Sequence, residues 1–254
     1  MSNEKVTISI VSYNNFKDVK KAVDSIERLT DPSLKKHIYI IDNANEEALY
    51  KTLNYEDVEY IRSPRNIGFG AGHNKIVSEL NSAIHIVMNP DIVLVEDSIS
   101  KLYEFMKDPD IGMCIPRLVD DRGNSLDVYR REVTIFDMFI RMFAKGMFKK
   151  RQAYHSLQDQ DYSKVFPVPF AQGSFLVIKT QLLQSLGGFD ERFFMYMEDA
   201  DLCKRVNEVS QLVYFPGTTI IHKWEKGSHK NYKLFKIHVR SMISYFNKWG
   251  WAWK

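Results

Sequence analysis

Residues 6–15 read VTISIVSYNN, a run rich in β-branched apolar residues that ends at Ser12, Tyr13 and Asn14. A short apolar run bounded by turn-forming residues indicates a buried strand. After it, apolar residues recur every three or four positions at Val19, Ala22, Val23, Ile26 and Leu29. This spacing is typical of an amphipathic helix, so the N-terminal segment should form a strand, a loop and a helix.

The strand signal recurs at residues 37–41, 58–61 and 84–88, with segments of helical character between them. Alternating strands and helices predict an α/β fold with a parallel sheet, whose ligand site lies beyond the carboxyl ends of the strands. Polar residues follow these strands in the sequence. We therefore expect one crevice to be lined by Ser12, Tyr13, Asn14, Asp42, Asn43, Asn89 and Asp91.

The alternation weakens after Asp91. The later expected elements are a helix at 98–106, a strand at 111–116, an apolar segment with a basic end at 132–151, a mobile polar loop at 151–164, a strand at 168–178 that carries Gln172-Gly173-Ser174, and two short strands within 211–221 separated by Pro216-Gly217. Together these elements suit one α/β domain with appended surface elements.

Composition places the chain among globular proteins. Of its 254 residues, 44% are hydrophobic and 26% are charged, which excludes wholesale disorder and a disulfide scaffold. The net charge of +3 does not indicate nucleic acid as a partner, and Cys114 and Cys203 lack zinc-site spacing. No stretch approaches the roughly 20 apolar residues of a membrane span, and residues 1–6 show no signal-peptide pattern, so we expect a cytoplasmic protein.

The glycine cluster at residues 68–72 does not match a dinucleotide fingerprint, because the third glycine of GxGxxG would fall at His73. The chain also has no GxxxxGK[ST] phosphate loop. These glycines suit either a turn before a helix or contact with a phosphate.

Two residues could bind a divalent cation. Asp91 follows a buried strand, and one or two carboxylates suffice for a cation that bridges a diphosphate. His222 ends an apolar strand and could complete the site as a neutral imidazole. The alternatives are that Asn89-Pro90-Asp91 is only a turn and that His222 is structural.

Three acids, Glu198, Asp199 and Asp201, lie beside the apolar segment Phe193 to Met197. Such a setting raises the pKa of a carboxyl group toward values useful for a general base, and aromatic residues beside acids suit sugar recognition. The alternative is an acidic helix N-terminus, in which these carboxylates complement the helix dipole.

Together, these segments resemble those of family 2 glycosyltransferases with the GT-A fold, especially the bacterial rhamnosyltransferase-like branch. The matching segments, in the family's order, are Val11-Ser12-Tyr13-Asn14, Ile41-Asp42-Asn43, Asn66 to Asn74, Met88-Asn89-Pro90-Asp91, Gly187 to Asp190, Phe194 to Leu202, and His222. The resemblance implies a Rossmann-like α/β fold with a mixed, mainly parallel sheet. It implies a GT-A domain over 1–229, with an amphipathic helix and a mobile loop inserted at 132–164, and a basic, aromatic helical extension at 230–254.

The resemblance also implies binding roles for the matching residues. Tyr13 would stack on the nucleotide base, flanked by Ser12 and Asn14, and Asp42 would accept a hydrogen bond from the ring N–H of that base. The remaining expected donor-binding residues are Asn66 and Gly68 at the ribose and diphosphate, Asn89 and Asp91 as a DxD-like motif that begins with Asn, and Gln172, Gly173 and Ser174 at the sugar. Asp91 would hold Mn²⁺ or Mg²⁺, with His222 as a second ligand.

Asp199 matches the general base of the family, which deprotonates the acceptor hydroxyl in a single inverting displacement. Glu198 and Asp201 would orient the acceptor or the neighbouring backbone. The implied reaction is transfer of L-rhamnose from dTDP-L-rhamnose to a glycan of the bacterial cell surface, with UDP-hexose and UDP-galactofuranose as alternative donors.

Aromatic and basic residues at 132–151 and 234–254 indicate how the acceptor could be reached. The residues are Phe136, Phe139, Phe143, Phe148, Trp249, Trp251 and Trp253, with Lys145, Lys149, Lys150, Arg151, Lys248 and Lys254. Such a mixture suits peripheral contact with a membrane that carries a polyprenyl-diphosphate-linked acceptor. Packing on the domain itself or on a second copy in a homodimer is the alternative.

Two other classes of protein remain open at this stage. A nucleotide-sugar-binding protein could keep the fold without turnover, because fold does not fix function. A dinucleotide-dependent oxidoreductase is disfavoured by the incomplete glycine fingerprint.

Overall fold

A mixed β-sheet forms the centre of the protein, whose structure, a computed structural model, describes residues 5–143, 146–223 and 232–253. The strands are β1 (Val6–Ser12), β2 (Lys36–Asp42), β3 (Val58–Arg62), β4 (Ile84–Met88), β5 (Ile92–Leu94), β6 (Ile111–Val119), β7 (Tyr129–Arg130), β8 (Phe166–Pro167), β9 (Phe170–Ala171), β10 (Phe175–Lys179) and β11 (Gln211–His222). The main sheet has the order β3-β2-β1-β4-β10-β6-β11-β5, with β8 paired to β11, and β7 and β9 form a second, two-stranded sheet.

The direction of the strands changes along the sheet. β1 to β4 pair in parallel, whereas β10 runs antiparallel between β4 and β6. β11 is parallel to β6 and antiparallel to β5. The predicted α/β fold with a mixed sheet is confirmed, and the carboxyl ends of β1, β2 and β4 meet at one edge.

Helices connect the strands and bury the apolar faces that the sequence pattern predicts. They are α1 (Phe16–Leu29), α2 (Glu47–Tyr50), α3 (Phe69–Val77), α4 (Ser98–Phe105), α5 (Ile135–Phe143), α6 (Lys149–His155), α7 (Thr180–Ser185), α8 (Glu198–Val209) and α9 (Tyr232–Trp249). α1 buries Val19, Ala22, Val23 and Ile26. Among the described residues, no helix has the length and apolarity needed to cross a membrane.

A chain of polar side chains is buried between β1, β4 and α3. Ser9 Oγ lies 2.6 Å from His73 Nδ1 and 2.8 Å from His85 Nε2, and Thr7 Oγ1 lies 2.9 Å from His85 Nδ1. Burial lowers the pKa of His85 to about 3 and lowers the pKa of His73 well below its ordinary value. Both rings are therefore neutral at physiological pH.

Two of the predicted strand boundaries are wrong. Residues 168–178 form β9 and β10 rather than one strand, because the chain turns between them and Ser174 N donates to Gln172 O at 2.9 Å. Residues 211–222 form the single strand β11, which pairs with β6 on both sides of Pro216-Gly217. That dipeptide produces a local register shift and not a break.

The described part of residues 132–164 also differs in helix content from the predicted helix and loop, while the mobility of the loop stays a prediction. They contain two helices, α5 and α6, because Gly146 (φ 88°) and Phe148 (φ 55°) take left-handed conformations that end a right-handed helix. The turns after α6 are packed against the domain, where Arg131 Nη2 donates to Asp159 Oδ1 at 2.7 Å. This segment is therefore folded onto the protein.

A second hydrophobic cluster joins α9 to α5 and to the segment that precedes α8. Its buried members are Val133, Met138, Phe193, Met197, Ala200, Tyr245 and Phe246. Just beyond α9, Ala252 O accepts a hydrogen bond from Ile135 N at 2.9 Å. The C-terminal segment thus packs along the same surface as residues Glu198 to Asp201, here called the acidic motif.

The aromatic residues of these two segments differ in how far they are buried. Trp249 packs against the second cluster, and the ring of Phe136 contacts that of Phe148 at 5.7 Å. The exposed members are Phe139 (53%), Phe148 (50%), Trp251 (53%) and Trp253 (71%). Lys145, Lys254 and the side chain of Phe143 lie outside the described residues.

Candidate active site

The parallel register brings the strand-end residues of β1, β2 and β4 together. Ser12 is paired with Asp42, and Ile10, two residues earlier in β1, is paired with Met88, the last residue of β4. Asn43 N donates to Ser12 O at 2.9 Å. The predicted convergence at the carboxyl edge is therefore present in the backbone.

Tyr13 stands at the tip of the loop that follows β1. Asn15 Oδ1 accepts hydrogen bonds from Ser12 Oγ at 2.7 Å and from Tyr13 N at 2.9 Å, and Asn14 has a left-handed φ of 57°. The Tyr13 side chain is 56% exposed. The loop is thus fixed by Asn15, which sequence reasoning did not single out, while the ring of Tyr13 remains open to stack on a ligand.

Asp42 is fully buried, and its carboxylate is used within the protein. Its oxygens accept hydrogen bonds from Ala44 N at 2.7 Å, from Glu46 N at 2.5 Å and from Tyr60 Oη at 2.8 Å. In this structure Asp42 therefore shapes the loop after β2, and its contact with a nucleotide base stays a prediction.

Gly68 lies where two segments of the site approach each other closely. Its backbone has φ 97°, and a Cβ would lie 2.2 Å from Phe194 O. Gly68 N donates to Asn66 Oδ1 at 3.0 Å, Gly68 O accepts from Asn43 Nδ2 at 3.1 Å, and Phe69 N donates to Phe194 O at 3.0 Å. Only glycine fits here, so this position connects the strand-end loops to the segment before α8.

Asp199 lies against the turn between β9 and β10. Its Oδ2 accepts a hydrogen bond from Gly173 N at 3.0 Å, and its Oδ1 accepts one from Ala200 N at 2.8 Å. In the same turn, Ser174 O accepts a hydrogen bond from Asn89 N at 2.8 Å. Gln172 N is bonded to Val128 O at 2.9 Å, so the turn itself is held in place.

Glu198 is the acid whose pKa the apolar setting raises. Its side chain is buried, and Oε2 has no hydrogen-bond partner among the described residues. Burial, and to a lesser extent the charge of Asp199, raises the pKa of Glu198 to about 8. Glu198 is therefore mainly protonated at neutral pH.

Asp91 and His222 form the pair that could hold a cation. Asp91 Oδ2 lies 3.2 Å from His222 Nε2, while Asp91 Oδ1 is buried without a hydrogen-bond partner among the described residues. A buried carboxylate oxygen without a hydrogen-bond partner, together with a neighbouring imidazole, provides suitable ligands for Mn²⁺ or Mg²⁺. In the described part of the chain no cluster of three or more His, Cys, Asp or Glu could hold a metal, so the other ligands would come from the bound substrate or water.

The candidate residues thus lie along one connected edge of the protein. Hydrogen bonds join Ser12 to Asn43, Asn43 to Gly68, Phe69 to Phe194, Asp199 to Gly173, and Ser174 to Asn89. Tyr13 and Asp42 lie at one end of this path, and Asp91 and His222 at the other. Phe194 and Ser174 lie in segments that the motifs already indicate, but the contacts of their backbone carbonyls were not predicted, because backbone groups leave no side-chain signal in a sequence.

Several proteins of known name are similar to this chain in sequence. The hexosyltransferase Agl10 of low-salt glycan biosynthesis in Haloferax volcanii is 24% identical over 80% of the chain, which spans 61% of the length of Agl10. The rhamnosyltransferase WbbL of Escherichia coli K12 is 26% identical over 94% of this chain and 92% of its own. The N-acetylglucosaminyl-diphospho-decaprenol L-rhamnosyltransferase of Mycobacterium tuberculosis is 24% identical, with 84% and 74% covered.

Solved structures share the GT-A fold. The mannosyltransferase PcManGT of Pyrobaculum calidifontis, in complex with GDP-Man and Mn²⁺, has a TM-score of 0.65 at 16% identity and covers 96% of this chain and 63% of its own. GalNAc-T7 with UDP, GalNAc and Mn²⁺ has a TM-score of 0.69 at 17% identity, with 96% and 49% covered.

A family model provides the assignment. The model of glycosyl transferase family 2 matches residues 7–187, which include the strand-end loops, the glycine cluster and Asn89-Pro90-Asp91. The acidic motif and His222 lie beyond the match, but each contacts a matched residue: Asp199 accepts a hydrogen bond from Gly173 N, and His222 Nε2 lies 3.2 Å from Asp91 Oδ2. The chain therefore belongs to glycosyl transferase family 2, beside relatives that are named rhamnosyltransferases.

Proposed function

We propose that this protein transfers a sugar from a nucleotide diphosphate donor to a hydroxyl group of a glycan, with inversion at the anomeric carbon. The observation that carries the proposal is the position of Asp199. Its carboxylate lies on the turn that carries Gly173, and the same turn is bonded to the segment that leads to Asp91. The proposed base Asp199 and the candidate diphosphate site at Asp91 are therefore both next to the turn at Gly173.

The chemistry requires one displacement. Asp199 accepts the proton of the acceptor hydroxyl, and the acceptor oxygen forms a bond to the anomeric carbon. The bond between that carbon and the diphosphate oxygen breaks, and the nucleoside diphosphate leaves with the electron pair. Glu198, mainly protonated at neutral pH, adds little negative charge beside Asp199 and leaves Asp199 as the base.

Asp91 and His222 are the residues that would hold the cation in this proposal. A bound Mn²⁺ or Mg²⁺ would neutralise negative charge on the leaving diphosphate. The unpartnered Oδ1 of Asp91 supports this role, as do the neighbours with the same fold that were solved with Mn²⁺.

The proposed donor is dTDP-L-rhamnose, with UDP-hexose and UDP-galactofuranose as alternatives. Support comes from the names of the relatives in Escherichia coli and Mycobacterium tuberculosis. Tyr13 would stack on the base of the nucleotide, while Gly68 and Asn66 would lie near the diphosphate and ribose. Gln172 and Gly173 would face the sugar.

The proposed acceptor is a glycan linked to polyprenyl diphosphate, reached at the membrane surface. The Mycobacterium tuberculosis relative is named for such a lipid-linked acceptor. Phe139, Phe148, Trp251 and Trp253 are exposed, and Lys149 and Lys150 beside Phe148 are exposed as well. Aromatic side chains beside lysines suit the boundary between lipid headgroups and acyl chains.

Flotation with vesicles tests the membrane part. Vesicles with a third of anionic phospholipid should carry the protein upward, and a Trp251→Ser, Trp253→Ser variant should float much less. If the unchanged protein stays at the bottom of the gradient, the membrane contact is wrong.

Titration calorimetry with a panel of nucleotide sugars and with NAD(H), with and without Mn²⁺, tests the donor and the class. Tighter binding of one nucleotide sugar with Mn²⁺ supports the transferase, whereas binding of NAD(H) alone would indicate an oxidoreductase. Asp199→Asn should then abolish transfer and leave donor affinity within about twofold, since it removes the base and keeps the shape of the side chain. A protein that binds the donor and never transfers it would be the non-catalytic alternative.

A further inference from the structure

The segment that leads into α8 has a backbone that must be held in place from outside. Tyr196 (φ 69°) and Met197 (φ 71°) are consecutive non-glycine residues in the left-handed region, directly before Glu198 and Asp199. Each such residue is intrinsically unfavourable and persists only where the surrounding structure fixes it. α8 also begins without a side-chain cap at Met197.

α9 holds this turn on the side that precedes it. Ser241 Oγ donates a hydrogen bond to Met195 O at 2.8 Å, and the ring of His238 stacks on that of Tyr196 with centroids 4.7 Å apart. Met197 packs in the second hydrophobic cluster with Tyr245 of α9. These contacts fix the residues before the acidic motif.

α9 also holds the turn on the side that follows it, through Asp201. The Asp201 carboxylate is fully buried, and its Oδ1 accepts a hydrogen bond from Trp249 Nε1 at 2.9 Å and lies 2.5 Å from Lys248 Nζ. Its Oδ2 accepts one from Arg205 Nε at 2.8 Å, and Asp201 N donates to Met197 O at 2.9 Å. Asp201 thus links the first turn of α8 to the end of α9.

We propose that Lys248 and Trp249 are positioning residues for Asp199, and that they act through Asp201 to fix the left-handed turn that aims the Asp199 carboxylate at the Gly173 turn. This inference rests on the proposed function for the role of Asp199. α9 is then part of the catalytic apparatus, although none of its residues belongs to the acidic motif. Lys248 Nζ also reaches Asp190 Oδ2 at 2.8 Å, so the same ammonium fixes the start of the segment.

Trp249→Phe tests the proposal, because it removes the indole N–H and keeps an aromatic ring in the cluster. Tyr55→Phe is the matched control: it also removes one hydrogen bond from an aromatic side chain to a carboxylate and keeps the ring, since Tyr55 Oη donates to Asp24 Oδ1 of α1 at 2.9 Å, outside α8 and α9. Lys248→Met is a second variant that keeps the aliphatic stem. Two readouts are needed, hydrogen exchange of the amides of residues 195–201 and transfer kinetics with the nucleotide sugar that calorimetry selects.

We expect the amides of residues 195–201 to exchange at least tenfold faster in Trp249→Phe and in Lys248→Met, with the amides of β1 and β4 unchanged. We expect kcat to fall by about tenfold or more with donor KM within twofold, because a misplaced base slows the chemical step and spares donor binding. Tyr55→Phe should change neither readout.

Unchanged exchange in residues 195–201, or faster exchange with unaltered kcat, would overturn the proposal. A wild-type protein that transfers no sugar would refute the proposed function instead. In that case the exchange data alone would still decide whether Lys248 and Trp249 hold the turn.

Discussion

Replacing Glu198 with Gln should remove a contribution of this carboxyl group that makes the protein less stable as pH rises. In the folded protein the pKa of Glu198 is raised to about 8, mainly by burial, from an ordinary value of 4.5. Between these two values the folded state keeps the proton and the unfolded state has lost it. The carboxyl group therefore favours folding fully below pH 4.5, and this contribution is lost as pH rises through 8.

The size of the effect follows from the two pKa values. One pH unit within this window changes the free energy of unfolding by about 1.4 kcal/mol, so from pH 5 to pH 8 Glu198 lowers it by about 3 to 4 kcal/mol. Glutamine has nearly the same shape and does not ionise. The stability of Glu198→Gln relative to wild type should therefore increase by about 3 to 4 kcal/mol over that interval.

Urea unfolding of both proteins at pH 5, 6, 7 and 8 measures this difference. Glu208→Gln is a matched control, because it makes the same substitution at an exposed position of the same helix. If the difference for Glu198→Gln stays constant within about 1 kcal/mol, Glu198 is ionised in the folded protein at neutral pH and the reasoning is wrong.

Two further predictions concern the buried core and the close approach at Gly68. Gly68→Ala should lower the free energy of unfolding by about 2 to 4 kcal/mol, because its Cβ would lie 2.2 Å from Phe194 O at a φ of 97°. Thermal unfolding measures this change. Gly123→Ala is the control: Gly123 has a similar φ of 82° but nothing within 4 Å of a Cβ, so this variant shows the cost of backbone strain without the clash. For His85, whose pKa is lowered to about 3, the imidazole ¹⁵N shifts should remain those of a neutral ring down to pH 4.5. Because unfolding lets this ring bind a proton, its contribution to stability is complete above pH 6.5 and falls by about 1.4 kcal/mol per pH unit below it. A His85 ring that titrates near pH 6.5 in the folded protein would contradict the assignment.

Local patterns were sufficient to predict the first half of the fold. β1 and α1 have unbroken periodicity, and the parallel pairing of β1 with β2 and β4 then places Ser12, Asp42 and Asn89 at one edge. Pro216-Gly217 misled the prediction because a proline and a glycine can form a bulge within a strand as well as a break. The turn at Gly173 was not predicted, because it is held by a hydrogen bond from Gln172 N to Val128 O, and Val128 is distant in sequence.

The candidate site was predictable in its residue types and less so in its environment. Periodicity and motif spacing indicate that Asp42 ends a strand. They do not indicate that Ala44 N, Glu46 N and Tyr60 Oη donate hydrogen bonds to its carboxylate. The sequence predicts that the apolar setting raises the pKa of a carboxyl group in the acidic motif, and burial determines that this group is Glu198. Such environments arise from contacts between distant segments, which single-sequence patterns do not encode.

The bond between Asp201 and the end of α9 has a consequence for how such a protein can change over evolutionary time. Asp201 and its hydrogen-bond partner Trp249 are 48 residues apart in the sequence. Both lie beyond residues 7–187, which the family model matches. A lineage that replaced Asp201 by a neutral residue would leave a lysine and an indole without their acceptor. Substitutions at positions 201, 248 and 249 should therefore occur together in related proteins. The sequence of the C-terminal helix should then vary together with that of the acidic motif.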